Sequence, residues 1–350
     1  MSAGTFFKPF NNSDRTTTRT MLHESIPITG TLVSGTYNTS SHTDGVTREE
    51  NIKTFSHGMF QSIYDYPHLS SSANHLFDIT VGYSATSAKS GSAHADNAKK
   101  INIYNQMSQA LVGYDTDNNI RVFDADGNFS DTTTDKHKEA VFLNFSRLLV
   151  KDEIKKGSFS LTLGTASSHS SPFGDTITLT DAHATDSYNV NSPAGEFGTL
   201  KKAGDATLYG LVYYQAGIVV LATSSFGTAI IDTAGDQIGA SITGSTINKI
   251  ADGIRNRIST LTFNNTTELN STIYFCRASH NEFNYSSNPT YLNNGKIVVK
   301  NDDISKPPRS YLTTVGLYSP DNELLAVAKL SEPLKKTPDN EVTLRVRLDY

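Results

Sequence analysis

Two runs of oxygen-bearing side chains at alternate positions are the first candidates for chemistry: Asp115, Asp117 and Asn119, then Asp124 and Asp126, the last followed by Gly127. Carboxylates spaced this way in a tight loop suit a hard cation, which collects oxygens from alternating loop positions. A calcium loop also wants a glycine at its sixth position and a bidentate glutamate at its twelfth. Counted from Asp115 those positions are Ile120 and Asp126; counted from Asp124 they are Phe129 and Asp135. Both frames fail at the glycine. Asp-rich β-turns are the favoured reading, with weak calcium binding as the remainder.

Other motifs carry less. In AIIDTAGDQ, Asp232 to Gly235 has the D-x-x-G form of a nucleotide switch, but no G-x-x-x-x-G-K-[ST] phosphate cradle accompanies it. A hairpin turn accounts for it better. The ten histidines are scattered, and His57, His68 and His75 cluster only loosely. There is no H-E-x-x-H zinc motif and no G-x-S-x-G nucleophile elbow. Cys276 sits in STIYFCRAS at strand spacing, which favours a buried thiol. Glycosidase carboxylates are positioned by the fold, so the sequence neither assigns nor removes them. The expectation is a non-enzyme, with no catalytic, metal or cofactor residues assigned.

Bulk properties narrow the partners. The chain has 350 residues, a formal net charge of -5 and only 19% charged residues. A sequence pI near 6.1 argues against a nucleic-acid partner, which selects a basic face. Mean hydropathy is -0.36, with the polarity carried by Ser, Thr, Asn and Gly more than by charge. No apolar run reaches the length of a membrane span, so no membrane insertion is expected. The N-terminal segment has neither a basic region nor an apolar signal core, so production in the cytoplasm is expected. One cysteine excludes an intrachain disulfide.

The elements that would position these groups are mostly strands, and the expected fold is mainly β with a few short helices. Antiparallel, sandwich-like sheets, long loops and a C-terminal β-hairpin region complete this α+β class. HLFDITVGYS (75–84), VFLNFS (141–146), FSLTLGT, DTITLTD, SYNVN, TLYGLVYYQ, GIVVLAT and STLTF read as strands, and IPITGTLVSGTY (26–37) as a strand pair. The clearest helix starts after Asp96, repeats Ile101, Tyr104, Met107/Ser108 and Leu111, and closes at Gly113. SRLLVKDEIKKG and INKIADGIRNRI are further short helices. Composition shifts divide the chain into an extended arm (1–20), an α+β region (21–164), a β-rich middle (165–264) and the hairpin region (265–350). The last strand, EVTLRVRLDY, alternates Val342, Leu344, Val346, Leu348 and Tyr350 against Thr343, Arg345, Arg347 and Asp349.

The hairpin itself is VGLYSPDNELLAVAKLSEPLKK, turning at Pro320-Asp321-Asn322. Its second arm is apolar on both faces, and that requires cover on both faces. Candidate contact residues are Leu317, Tyr318, Leu324, Leu325 and Val327, together with Phe6, Phe7 and Phe10 in the otherwise polar arm. The segment followed by TPDNEVTLRVRLDY resembles the closing module of structural proteins from large contractile-tailed bacteriophages. It is similar to the hairpin of tail-collar fibre proteins, with Asn322 where glycine is frequent. FCRASHNEFNYSSNPTY and FLNFSRLLVKDEIKKGSF resemble virion segments of T-even-like marine phages. The resemblance covers about a third of the chain. It implies a tail or baseplate component, assembled in host cytoplasm, present in several copies or as a homo-oligomer, and docked on other virion proteins. A head or neck component, or a glycan-binding adhesin, is the alternative.

Overall fold

The computed structural model describes residues 7–34, 38–39, 48–130, 135–227, 229, 231, 236–286, 288–297 and 309–350. It is mainly β, with large antiparallel sheets and short helices, as the alternating patterns require. The chain falls into two compact units. A core unit spans Leu22–Thr267, and a terminal unit combines Met1–Met21 with Glu268–Tyr350. Both junctions lie within strands, Arg15–Thr29 and Ile258–Ala278. The expected breaks near 20 and 264 lie close to these junctions. The one near 165 falls in the loop joining strands Ser160–Gly164 and Thr176–Thr180, which pair with each other.

In the core unit the strands follow one another across a sheet, all neighbours antiparallel. From the strand that begins at Ile258 the order is Ser160–Gly164, Thr176–Thr180, Phe197–Lys202, Leu208–Tyr213, Ile218–Ala222, Glu139–Phe145, His75–Tyr83, Gln61–Tyr64 and Ile52–Thr54. The central strands are buried on both faces, so Val141, Phe142 and Leu143 form a continuous apolar run instead of alternating. Gly82 faces the helix Asn97–Leu111, where a Cβ would lie 2.6 Å from the Lys100 carbonyl. Gln61, across from Ile79 on the opposite face, reaches the helix Ile247–Arg255 through Asp252 at 2.9 Å. Two helices therefore cover the two faces of the same strands.

The structure adjusts several expectations. Helix 97–111 buries Lys100, Ile103, Tyr104, Ser108 and Leu111, while Ile101 and Met107 are half-buried. The close approach at Gly82 turns the helix so that Lys100 faces inward. Its ammonium donates to the carbonyls of Ile242 at 2.7 Å and Ser245 at 2.6 Å. Gly113 ends the helix at φ 81, its N–H reaching Ser108. Of the strand pair expected over 26–37, the described part is a strand end followed by the helical turn Gly30–Ser34, which buries Val33, and 35–37 lie outside the described residues. Only a glycine fits at Gly30, because a Cβ there would meet the Ile258 carbonyl at 2.3 Å. The helix expected over 146–157 stops at Val150, where Lys151 takes φ 60 and the short strand Glu153–Ile154 follows. SYNVN contributes only a bridge from Asn189 to Phe197.

The terminal unit is built differently. The second half of Ile258–Ala278 pairs with Val342–Asp349 in the register Thr272↔Leu348, Tyr274↔Val346, Cys276↔Leu344 and Ala278↔Val342. The alternation expected for the last strand is present: Val342, Leu344, Val346 and Leu348 share one half-buried face. The hairpin joins Ser310–Tyr318 to Leu324–Lys336 as a separate two-stranded ribbon. Its turn is the expected one. Asn322 takes φ 65 and donates to the Ser319 carbonyl at 3.1 Å.

Candidate functional site

The candidate site is the exposed surface of the terminal unit. Gly316↔Val327 and Leu317↔Ala326 set opposite faces of the ribbon, and a register shift between Leu317 and Tyr318 pairs Tyr318 with Leu324 and leaves Leu325 as the extra residue. Leu317 is 6% exposed and therefore buried. Tyr318, Leu324, Leu325 and Val327 remain open, Leu325 at 67%. The bulge and turn together place four apolar side chains at the tip, an arrangement the sequence pattern indicated by its doubly apolar second arm.

The far end of the ribbon is anchored. Lys336, placed by the sequence in a basic, proline-bearing tail, continues the second strand and is fully buried. Its ammonium donates to Asn284 Oδ1 at 2.8 Å and to the carbonyls of Thr337 at 2.9 Å and His280 at 3.3 Å. Ser310 donates to the Phe283 carbonyl at 2.5 Å beside it. The ribbon is thus tied at its base by polar contacts and bare at its tip.

Phe7 and Phe10 of the arm are exposed, and Phe10 leans on Tyr274 with ring centroids 5.3 Å apart. Phe6 lies outside the described residues. Lys8 holds this segment to Glu282 at 2.6 Å, and the buried Asp14 meets Arg277 at 3.2 Å. An open, polar cleft in the same unit is lined by Ser286, Asn288, Tyr291, Arg309 and Tyr311.

The groups with chemical potential are dispersed. His57 stacks on Phe55, and His68 Nδ1 lies 2.6 Å from the Glu50 carbonyl. His75 Nε2 and Ser62 Oγ both bond Asp78 Oδ1, at 2.8 and 2.5 Å. This has the members of a nucleophilic triad in the wrong order, since an activated serine donates to the imidazole rather than to the acid. Ser62 is also buried. Cys276 is half-buried rather than buried as expected; the burial it has raises its thiol pKa, with the charge of Asp14 acting in the same direction, so the reactive thiolate is disfavoured. Asp115 is occupied as a turn cap, accepting from Asn119 N at 2.8 Å and Asp117 N at 2.9 Å. Asp232 to Gly235 lies outside the described residues. Asp124, Asp126 and Asp135 do converge, with one oxygen of each within 4.8 Å of the others.

Sequence reasoning missed the buried charges. Arg255 donates to the Val33 carbonyl at 2.8 Å and pairs with Glu49 and Asp252. Arg257 holds the carbonyls of Gly164 and Ala166 at 3.0 and 2.8 Å. Both lie at the end of an amphipathic helix where exposed basic residues are the rule, and no local signal marks them. Compared with protein-family models, with curated proteins and with solved structures, the chain matches none.

Proposed function

We propose that this chain is a non-enzymatic structural subunit of a virion, of the tail or baseplate type, which binds neighbouring subunits through its terminal unit. The observation that carries this reading is the contrast between the two units. The core unit buries aromatic and aliphatic side chains throughout, including Phe77, Phe142, Phe197 and Tyr213. Among the described residues of the terminal unit, only Ala278 and Leu317 are buried hydrophobics. A unit of that length without an apolar core does not repay its conformational entropy. Its apolar tips and half-covered sheet face suit cover by other chains, each buried side chain stabilising by about 1.5–3 kcal/mol.

The resemblance of the hairpin to modules of contractile-tailed phages supports the virion setting, with assembly in host cytoplasm and several copies per particle. The dispersed catalytic candidates support a non-enzyme. Mass spectrometry on purified particles separated into heads and tails tests the placement. Enrichment in tails is expected; enrichment in heads would move the subunit to the head or neck, and absence from particles would overturn the reading. A Leu325→Glu, Val327→Glu double variant should fold with stability changed by no more than about 0.5 kcal/mol, yet be lost from particles.

One observation favours a second reading. The cleft with Tyr291, Tyr311, Asn288 and Arg309 offers aromatic faces beside polar groups, the chemistry of a sugar-binding surface. A glycan-binding assay on the chain and on Tyr311→Ala decides it: binding lost with the tyrosine would establish an adhesin role.

A further inference from the structure

We propose that Asp124, Asp126 and Asp135, with the Ser130 carbonyl, bind a hard divalent cation of the calcium class. The short strands Phe123–Asp124 and Lys136–His137 pair as Phe123↔His137 and Asp124↔Lys136. That pairing holds Asp124 and Asp135 near each other, and with Asp126 they place one oxygen of each within 4.8 Å of the others.

A cluster of acids is ordinary; the state of Asp124 is not. Its side chain is 0% exposed, and its Oδ1 has no hydrogen-bond partner among the described residues. Leaving a buried acceptor unpaired costs about 1–3 kcal/mol. A cation ligated by Asp124 would supply the missing partner.

The remaining polar contacts agree in sign. Lys136 Nζ meets Asp124 Oδ2 at 3.0 Å and the Ser130 carbonyl at 2.5 Å, so these two oxygens already point at one positive charge. One ammonium against three carboxylates leaves a formal charge of -2, which a divalent ion neutralises. From Asp124 as first position, Asp126 is third, Ser130 seventh and Asp135 twelfth, the spacing of a calcium loop with the shorter aspartate where the bidentate glutamate stands. The sixth residue is Phe129 rather than glycine, yet it adopts φ 56, the left-handed conformation a glycine there would supply. Its ring is held by Phe197 at 5.9 Å and by the Arg121 guanidinium at 5.3 Å. Asn128 donates to both Asp126 oxygens, from its backbone N–H to Oδ1 at 3.0 Å and from its side-chain amide to Oδ2 at 2.6 Å, and its Oδ1 accepts from Ser130 N at 2.6 Å.

The test is calcium titration of the full chain, stripped with chelator, by calorimetry and by terbium luminescence. The chain has no tryptophan, so tyrosine is the sensitiser. One saturable site is expected, with Kd on the order of 0.1–1 mM and weaker binding of magnesium. Asp126→Asn and Asp135→Asn should each weaken it about tenfold or more, while Asp117→Asn in the other Asp-rich turn leaves it unchanged. Lys136→Met removes the competing ammonium and should tighten binding. Absence of saturable binding up to about 10 mM, or equal losses in Asp117→Asn and Asp126→Asn, would overturn the site.

Discussion

At the scale of single residues, Lys100, Arg257 and Asp181 are buried charges of the core unit held by backbone partners. Asp181 is fully buried and accepts from Phe159 N and Gly157 N at 2.9 Å each and from the Tyr214 hydroxyl at 3.0 Å. Asp181→Ala strands three donors at once. It should lower stability by on the order of 3 kcal/mol or more, read as a fall in denaturant midpoint. Lys100 gives a pH signature. Burial pushes its ammonium down to about 8 from 10.5, with Asp96 opposing. Between those values the unfolded chain binds more protons, so stability rises with pH, by at most on the order of 3 kcal/mol. Burial holds Tyr104, Tyr213 and Tyr214 above the usual phenol range, and they reverse the trend above about 10. Denaturant melts between pH 8 and 10 should show the rise, and Lys100→Met should abolish it. None of this was legible in the sequence. Lys100 reads as a surface residue of an amphipathic helix, and its acceptors, Ile242 and Ser245, lie far along the chain.

At the scale of elements, hydrophobic period carried most of the information, and it failed where backbone approach or turn geometry decided. Strands 75–83, 139–145, 218–222 and 342–349 follow their apolar patterns. Helix 97–111 was legible in extent and in the burial of Tyr104, Ser108 and Leu111, while Lys100 and Ile103 turn inward in place of Ile101, beside the close contact at Gly82. Gly82→Ala tests that contact. A methyl group 2.6 Å from the Lys100 carbonyl and 2.9 Å from Tyr104 N has backbone on both sides and nowhere to go. A loss of about 2 kcal/mol or more is expected in thermal or chemical melts. Helix Ile238–Gly244 was not legible, since Gly239, Ser241, Thr243 and Gly244 read as loop, and tertiary packing of Ile238 and Ile242 supplies its stability. For the candidate interface, the doubly apolar arm called for cover on both faces, and the described chain leaves Leu324, Leu325 and Val327 exposed. The burial of Leu317 was not legible, because the register shift beside Tyr318 has no sequence mark.

At the scale of the molecule, the two units should differ in local stability. Hydrogen exchange on the intact chain should show slow amides in the central strands of the core unit. Amides of 310–318 and 324–336 should exchange orders of magnitude faster, close to the limit of local opening. Addition of the true neighbouring subunit should slow exchange in the hairpin selectively; uniform protection in the free chain would contradict the assignment of that unit to assembly. The ribbon has a further consequence for the chain before it meets its neighbours. Among the described residues both outer edges of the two strands are unpaired, and unpaired edges recruit other strands. The base-proximal half of the second strand is guarded by Lys329, Glu332, Pro333 and Lys335, residues that interrupt strand addition. Leu324 to Ala328 has no such guard, so aggregation of the chain made alone would nucleate at the tip, on the same side chains that docking is proposed to cover.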